Sequence, residues 1–308
     1  MNQPAAAIGI DIGGTKIAAA LVTAAGAVAD LRTVPTPATP RIVATMAGLS
    51  QELLALAGQR GQPVRGVGVG AAGQVDARAG QIVYAVETLP GWTGTPVAAQ
   101  LGALVGLPVL VENDVNAVAA GEMRFGAGRG FQRALYVAVG TGIGGALIAD
   151  GRIEAGAHWS AGEVGHTMID ITGQRMCNCG QAGHLEAYAS GPAMARRCCQ
   201  LQGVAEHSDL RAVARLAAEG DAQARAAIEE GARILGQALN GMVSLYDPEV
   251  LVLGGGVPEV GPLWWTPFTE TLRQGNMPAP QQVALRHAEL GWQAALIGAA
   301  ALALEAFT

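Results

Sequence analysis

Three groups of residues have types and spacings suited to chemistry. The first, Glu112-Asn113-Asp114, closes the apolar run Leu107 to Val111. A carboxylate at the end of a buried strand is held by rigid backbone, and within reach of a bound hydroxyl it can accept that proton as a general base. Asn113 beside it both donates and accepts hydrogen bonds. The plain alternative for Asn-Asp is an N-cap of the helix that follows, and spacing by itself favours the cap.

The second group is a set of glycine turns, each entered from an apolar run: Asp11-Ile12-Gly13-Gly14-Thr15-Lys16, Gly140-Thr141-Gly142-Ile143-Gly144-Gly145 and Gly254-Gly255-Gly256. Bare backbone N–H groups in such turns can approach an anion, and Thr15, Lys16 and Thr141 add hydroxyl and ammonium donors, a combination suited to a triphosphate. Lys16 is the one lysine in a chain that otherwise uses 18 arginines. Two common phosphate motifs fail. Gly14-Thr15-Lys16 has the wrong order for a Walker loop and no helix signal after it, and Gly68-x-Gly70-x-x-Gly73 continues as turn and strand instead of helix.

The third group is His166, Cys177, Cys179 and His184, spaced His-x10-Cys-x-Cys-x4-His. Two thiolates and two imidazoles suit tetrahedral zinc, and a closed four-ligand set implies a structural role. Two reduced thiols in an ordinary loop are the alternative. Cys198-Cys199 read as small core residues on a helix.

These residues need elements to position them. Ile8 to Val22 reads as a β-hairpin turning at Gly13-Gly14, and the pattern returns at Ala134 to Ile148. This weak internal repeat suggests two related α/β lobes facing across a cleft. Between the repeats, Ile42 to Gly58 has helical periodicity, Val64 to Val69 and Leu107 to Val111 are strand-like, and Asn116 to Phe125 is helical. In the second half, helices are expected at about Asp221 to Glu230 and Ala232 to Leu245. Asp247-Pro248 breaks the pattern, Val250 to Leu253 forms a strand, and a closing helix runs from about Trp292 to Ala306.

With 308 residues, half of them hydrophobic and 14% charged, the chain can bury a core without disulfides and is too apolar for disorder. Its 44 glycines show no three-residue period, which excludes collagen. A net charge of −6 argues against nucleic acid or anionic lipid as a main partner. No apolar run reaches the roughly 18 residues of a membrane span and no signal-like segment opens the chain, so a cytoplasmic location is expected.

In their order along essentially the whole chain, these segments, together with Gly162-Glu163-Val164-Gly165-His166 and Cys177 to Glu186, resemble the ROK-family sugar kinases (repressor, open reading frame, kinase), a branch of the actin, hexokinase and Hsp70 ATPase superfamily. The resemblance implies an α/β fold of two ribonuclease-H-like lobes with the active site in the cleft between them: residues 1–115 plus about 293–308 form a small lobe, and 116–292 a large lobe carrying a zinc loop. It implies ATP-dependent phosphorylation of a hexose at its 6-hydroxyl, glucose to glucose 6-phosphate, with N-acetylmannosamine or N-acetylglucosamine kinase as the alternative. Asp114 would be the catalytic base.

By the same resemblance Gly73, Asn113, Glu163, His166 and Glu186 would meet the sugar with Asp114. Asp11, Gly13, Gly14, Thr15, Lys16, Gly140, Thr141, Gly142, Gly254, Gly255 and Gly256 would hold ATP, with Asp11 acting through water on Mg2+. His166 would bind structural Zn2+ through one ring nitrogen and sugar through the other, with Cys177, Cys179 and His184 completing the set; His184 stands where the family has a third cysteine. Ala72 replaces a usual proline behind the sugar, and Thr88 replaces Asn in a segment otherwise like Asn-Leu-Pro-Gly-Trp of glucokinase-like members. A homodimer or homotetramer is implied. ROK repressors carry an N-terminal DNA-binding domain, for which the hairpin starting at Ile8 leaves no room, so a regulator is the distant reading and a catalytically silent sugar-binding protein a further one.

Overall fold

The structure is a computed structural model describing residues 4–85, 89–205, 209–275, 277–278 and 280–307. Two compact units emerge. The first comprises Met1–Gly130, Arg152–Ala161 and Glu289–Thr308, and the second Phe131–Gly151 and Gly162–Ala288.

The first unit opens with β1 (Ala6–Ile12) and β2 (Lys16–Thr23), an antiparallel hairpin whose turn is closed by Gly13 N–H donating to the Lys16 carbonyl at 3.0 Å. Both strands are apolar on both faces and almost wholly buried, as a sheet covered on both sides requires. The unit continues through β3 (Val28–Pro35), α1 (Ile42–Gln59), β4 (Val64–Ala71), β5 (Gln74–Asp76), β6 (Gln81–Tyr84), α2 (Val97–Val105), β7 (Val109–Asn113) and α3 (Asp114–Phe125). Its sheet has the order β3-β2-β1-β4-β7, with β4 parallel to both β1 and β7. Register places Asp11, Gly70 and Glu112 in one row across β1, β4 and β7. The ends of three strands therefore deliver the Gly13-Gly14 turn, Gly73 and Asp114 to the same edge of the sheet, where ligands of open α/β sheets collect.

The second unit repeats the hairpin with β8 (Ala134–Val139) and β9 (Ile143–Ala149). It then runs through α4 (Glu186–Ala189), α5 (Gly191–Gln202), α6 (Leu210–Ala218), α7 (Ala222–Tyr246), β10 (Val250–Gly254), α8 (Pro262–Arg273) and β11 (Ala284–His287). Strands β9, β8, β10 and β11 lie side by side in that order, the last two joining in parallel. The core beneath them includes Trp264 stacked on Phe268 at 4.8 Å between ring centroids.

The chain ends in α9 (Ala294–Ala306), which returns to the first unit and packs on β1, β4 and α3. Glycines permit this approach: a Cβ at Gly68 would collide with the Ala299 carbonyl, and one at Gly298 with the Ala117 carbonyl. Because α3 packs against α9, the first unit runs on to Gly130 instead of stopping at 115, and it regains the chain at Glu289. A second difference concerns α7, one helix of 25 residues where two were expected. Gly231 sits inside it, where a Cβ would run into the Met194 side chain of α5. That glycine marks a close helix crossing and not a break. Among the described residues no helix is long and apolar enough to cross a membrane.

Candidate active site

In the first unit Asn113 caps α3. Its Oδ1 accepts from Val115 N–H at 2.9 Å and Asn116 N–H at 3.0 Å, while its Nδ2 donates to the Gly73 carbonyl at 2.9 Å and to Asp114 Oδ1 at 3.0 Å. All four hydrogen-bonding positions of the amide are thus used within the protein. The capping reading of Asn113 is correct, and the same side chain also fixes Asp114 and the Gly73 loop. Any hydroxyl that meets Asn113 must replace one of those bonds. Val115 N–H also donates to Asp114 Oδ1, at 3.0 Å. Gly73 has φ +108°, and a side chain there would collide with the Tyr84 carbonyl. Thr88 lies outside the described residues.

Glu112, quoted in the motif but given no role by the sequence, is buried. Its Oε1 accepts from Asn113 N–H at 2.8 Å and Asn116 Nδ2 at 2.9 Å. Burial pushes its carboxyl above the usual range, against the pull of those two donors. Asp11 is shifted the same way, to about 6, by burial that the Lys16 ammonium only partly offsets. Around the turn, the Gly13 carbonyl accepts from Thr36 Oγ1 at 2.7 Å and the Thr15 carbonyl from Thr36 N–H at 3.0 Å, while a Cβ on Gly14 would meet open space. Lys16 Nζ lies 5.2 Å from the centre of the half-exposed Trp292 ring. The sequence offers no local signal for this cation–π pair, whose members sit near opposite ends of the chain.

In the second unit a cavity of about 1080 Å3 opens beside the β8–β9 turn. Gly140, Thr141 and Gly256 line it together with apolar Pro192, Leu210 and Val257. Three of the expected glycines do not line it, and each has a packing reason. A Cβ at Gly142 would collide with the Glu186 carboxylate, one at Gly254 with the Tyr136 hydroxyl, and one at Gly255 with the Val139 carbonyl.

The His/Cys set converges. One ligand atom from each of His166, Cys177, Cys179 and His184 lies within 4.8 Å of all the others. Cys177 Sγ is 3.7 Å from His166 Nδ1 and Cys179 Sγ is 3.2 Å from His184 Nδ1. Tetrahedral zinc with Zn–S of about 2.3 Å and Zn–N of about 2.0 Å separates S from N by roughly 3.5 Å, so the donor set fits zinc. Burial, the largest influence, pushes the Cys177 thiol up to about 12. A bound dication would favour its thiolate. His166 directs Nδ1 at this cluster and Nε2 towards Glu163 Oε2, 3.9 Å away. Burial raises the Glu163 carboxyl; nearby His166 lowers it and Glu186 raises it further. Glu186 joins the loop to the glycine turn, since its Oε2 accepts from Ile143 N–H at 2.9 Å and its Oε1 from Cys177 Sγ at 3.5 Å. Cys198 and Cys199 are buried on α5, as read from the sequence.

The family model "ROK family" matches residues 7–306. A glucokinase of Streptomyces coelicolor is 35% identical, the match covering 97% of each chain. An N-acetylmannosamine kinase of Escherichia fergusonii is 32% identical over 96% of this chain and 97% of its own. The crystal structure of a ROK-family glucokinase from Streptomyces griseus in complex with glucose and AMPPNP superposes with a TM-score of 0.78 at 35% identity, covering 97% of this chain and 99% of that one. Matching motifs, paired hairpins and whole-chain similarity agree, and the chain belongs to the ROK family.

Proposed function

We propose that this protein transfers the γ-phosphoryl group of ATP to the 6-hydroxyl of a hexose, with glucose as substrate. The observation that carries the reading is the row across β1, β4 and β7, which brings Asp114 to the sheet edge that also holds Asp11 and the first glycine turn. Phosphoryl transfer asks the protein for positioning, charge neutralisation and a base for the attacking hydroxyl. Asp114 is that base. Asn113, itself bonded to the Gly73 carbonyl, and Val115 N–H hold its carboxylate in place, and Asn113 meets a neighbouring sugar hydroxyl by exchanging one of its four bonds.

In the second unit Glu163, His166 and Glu186 hydrogen-bond further sugar hydroxyls. Zn2+ held by His166, Cys177, Cys179 and His184 would fix the His166 ring while leaving Nε2 to the sugar. The donor is held by the turn Gly13-Gly14-Thr15-Lys16 and by Gly140, Thr141 and Gly256, whose cavity takes the adenosine; Gly142, Gly254 and Gly255 shape the turns around it. Mg2+ bound with ATP would supply charge neutralisation on the phosphates, and Asp11, ionised above about pH 6, would hold it through water.

The test is ADP release with Mg-ATP against glucose, mannose, fructose, N-acetylglucosamine and N-acetylmannosamine. Selective turnover of glucose is expected. Turnover confined to an N-acetyl sugar would replace the substrate while keeping the mechanism, and none with any sugar, in folded and zinc-loaded protein, would overturn the kinase.

A further inference from the structure

The second unit holds another cavity, of about 260 Å3, lined largely by guanidinium and amide side chains. Arg175, from the segment leading into Cys177, faces it together with Arg196, Arg197 and Gln200 of α5 and with Gln174. Glu230 of α7 is the carboxylate that answers these guanidinium groups, accepting from Arg175 Nη2 and Arg197 Nε at 2.7 Å each. Burial works against ionisation of Glu230, and the two arginine hydrogen bonds outweigh it, so its carboxyl lies below the usual range. Arg196 has no ion pair or side-chain hydrogen bond among the described residues. Nearby Asp170 is engaged by Thr172 and by the Tyr188 hydroxyl. Three guanidinium groups against one carboxylate leave an excess of about two positive charges, in a chain whose net charge is −6.

The cluster is also built to stay. Arg175 lies over the Tyr188 ring at 4.5 Å from its centroid, and its carbonyl accepts from Gly183 N–H at 2.9 Å. Arg175 is held by Glu230 and the Tyr188 ring and Arg197 by Glu230 through Nε, which leaves further N–H groups of each fork for a ligand. A phosphate monoester carries about −1.5 to −2 charge at neutral pH and presents three oxygens suited to guanidinium forks, which matches the excess charge. The cavity has room for more than the phosphate group, and Gln174 and Gln200 stand ready to bond hydroxyls of an organic substituent.

We propose that this cavity binds a phosphate monoester at a site separate from the residues assigned to donor and sugar. The monoester is a hexose 6-phosphate, the product class of the proposed reaction, an assignment that rests on the kinase reading. Arg196 and Gln200 also line the donor cavity, so the test must separate the two.

The experiment is calorimetric titration of full-length, zinc-loaded protein with glucose 6-phosphate or with inorganic phosphate, in the presence of saturating AMPPNP and glucose. One equivalent of glucose 6-phosphate is expected to bind, more tightly than inorganic phosphate. Arg197→Gln is expected to weaken binding about tenfold. Glu230→Gln, which removes the competing carboxylate, is expected to tighten it several-fold, a gain that a structural role would not produce. Loss of all binding under AMPPNP and glucose, or binding indifferent to both substitutions, would overturn the site. Inorganic phosphate binding as tightly as the ester would overturn the monoester assignment. Neither result depends on turnover, so failure here and failure of the kinase reading are read separately.

Discussion

Asp11 shows how desolvation of a single acid ties stability to pH. In the folded protein its carboxyl holds a proton up to about pH 6, whereas an unfolded aspartate releases it near 3.8. Between those values the folded state binds more protons, so this group makes stability fall as pH rises through the window and stay lower above it. Asp11→Asn is therefore expected to raise Tm at pH 7 to 8, to flatten its dependence between pH 4 and 6, and to reduce Mg-ATP turnover. Melting curves across pH with a parallel assay would check this; a lower Tm at pH 8 would contradict it. Asp11, Lys16 and Asp114 were legible in the sequence because each lies beside a glycine turn or a strand end. Trp292 beside Lys16, and the bond from Asn113 to Gly73, were not, because the fold alone brings those partners together.

Helix α9 depends on small residues and on one buried carboxylate. Glu122, at the end of α3, accepts from Ala127, Glu289 and Leu290 N–H groups, all within 3.1 Å, and is almost wholly buried. It ties α3 to the segment that leads into α9. Removing a buried charged acceptor leaves these donors unpaired, and Glu122→Ala should cost about 3 kcal/mol in urea unfolding. Gly298→Ala should cost about as much, because backbone and not a flexible side chain blocks the added methyl. Both helices were readable from their apolar periodicity. Their contact was not, since a glycine in a helix pattern signals equally a break or a crossing, as Gly231 shows.

The same limit holds for the whole molecule. A repeated strand–turn–strand pattern made two units legible, while the return of the last segment to the first unit set a boundary that no composition shift marks. The His/Cys loop was legible as a ligand pattern, and its geometry brings His166, Cys177, Cys179 and His184 together as that pattern required. Protein purified without chelator is expected to carry about one zinc per chain by elemental analysis. Cys179→Ser should lower that occupancy and Tm together, because structural zinc contributes its binding free energy to the fold. Full occupancy in that variant would remove Cys179 from the set.

The account turns on Asp114, and its most direct test is ADP release with Mg-ATP and glucose by the wild type and by Asp114→Asn, alongside glucose binding to each. Loss of a general base predicts a kcat lower by roughly 10²- to 10⁴-fold with glucose affinity nearly unchanged. Wild-type turnover by Asp114→Asn would contradict it.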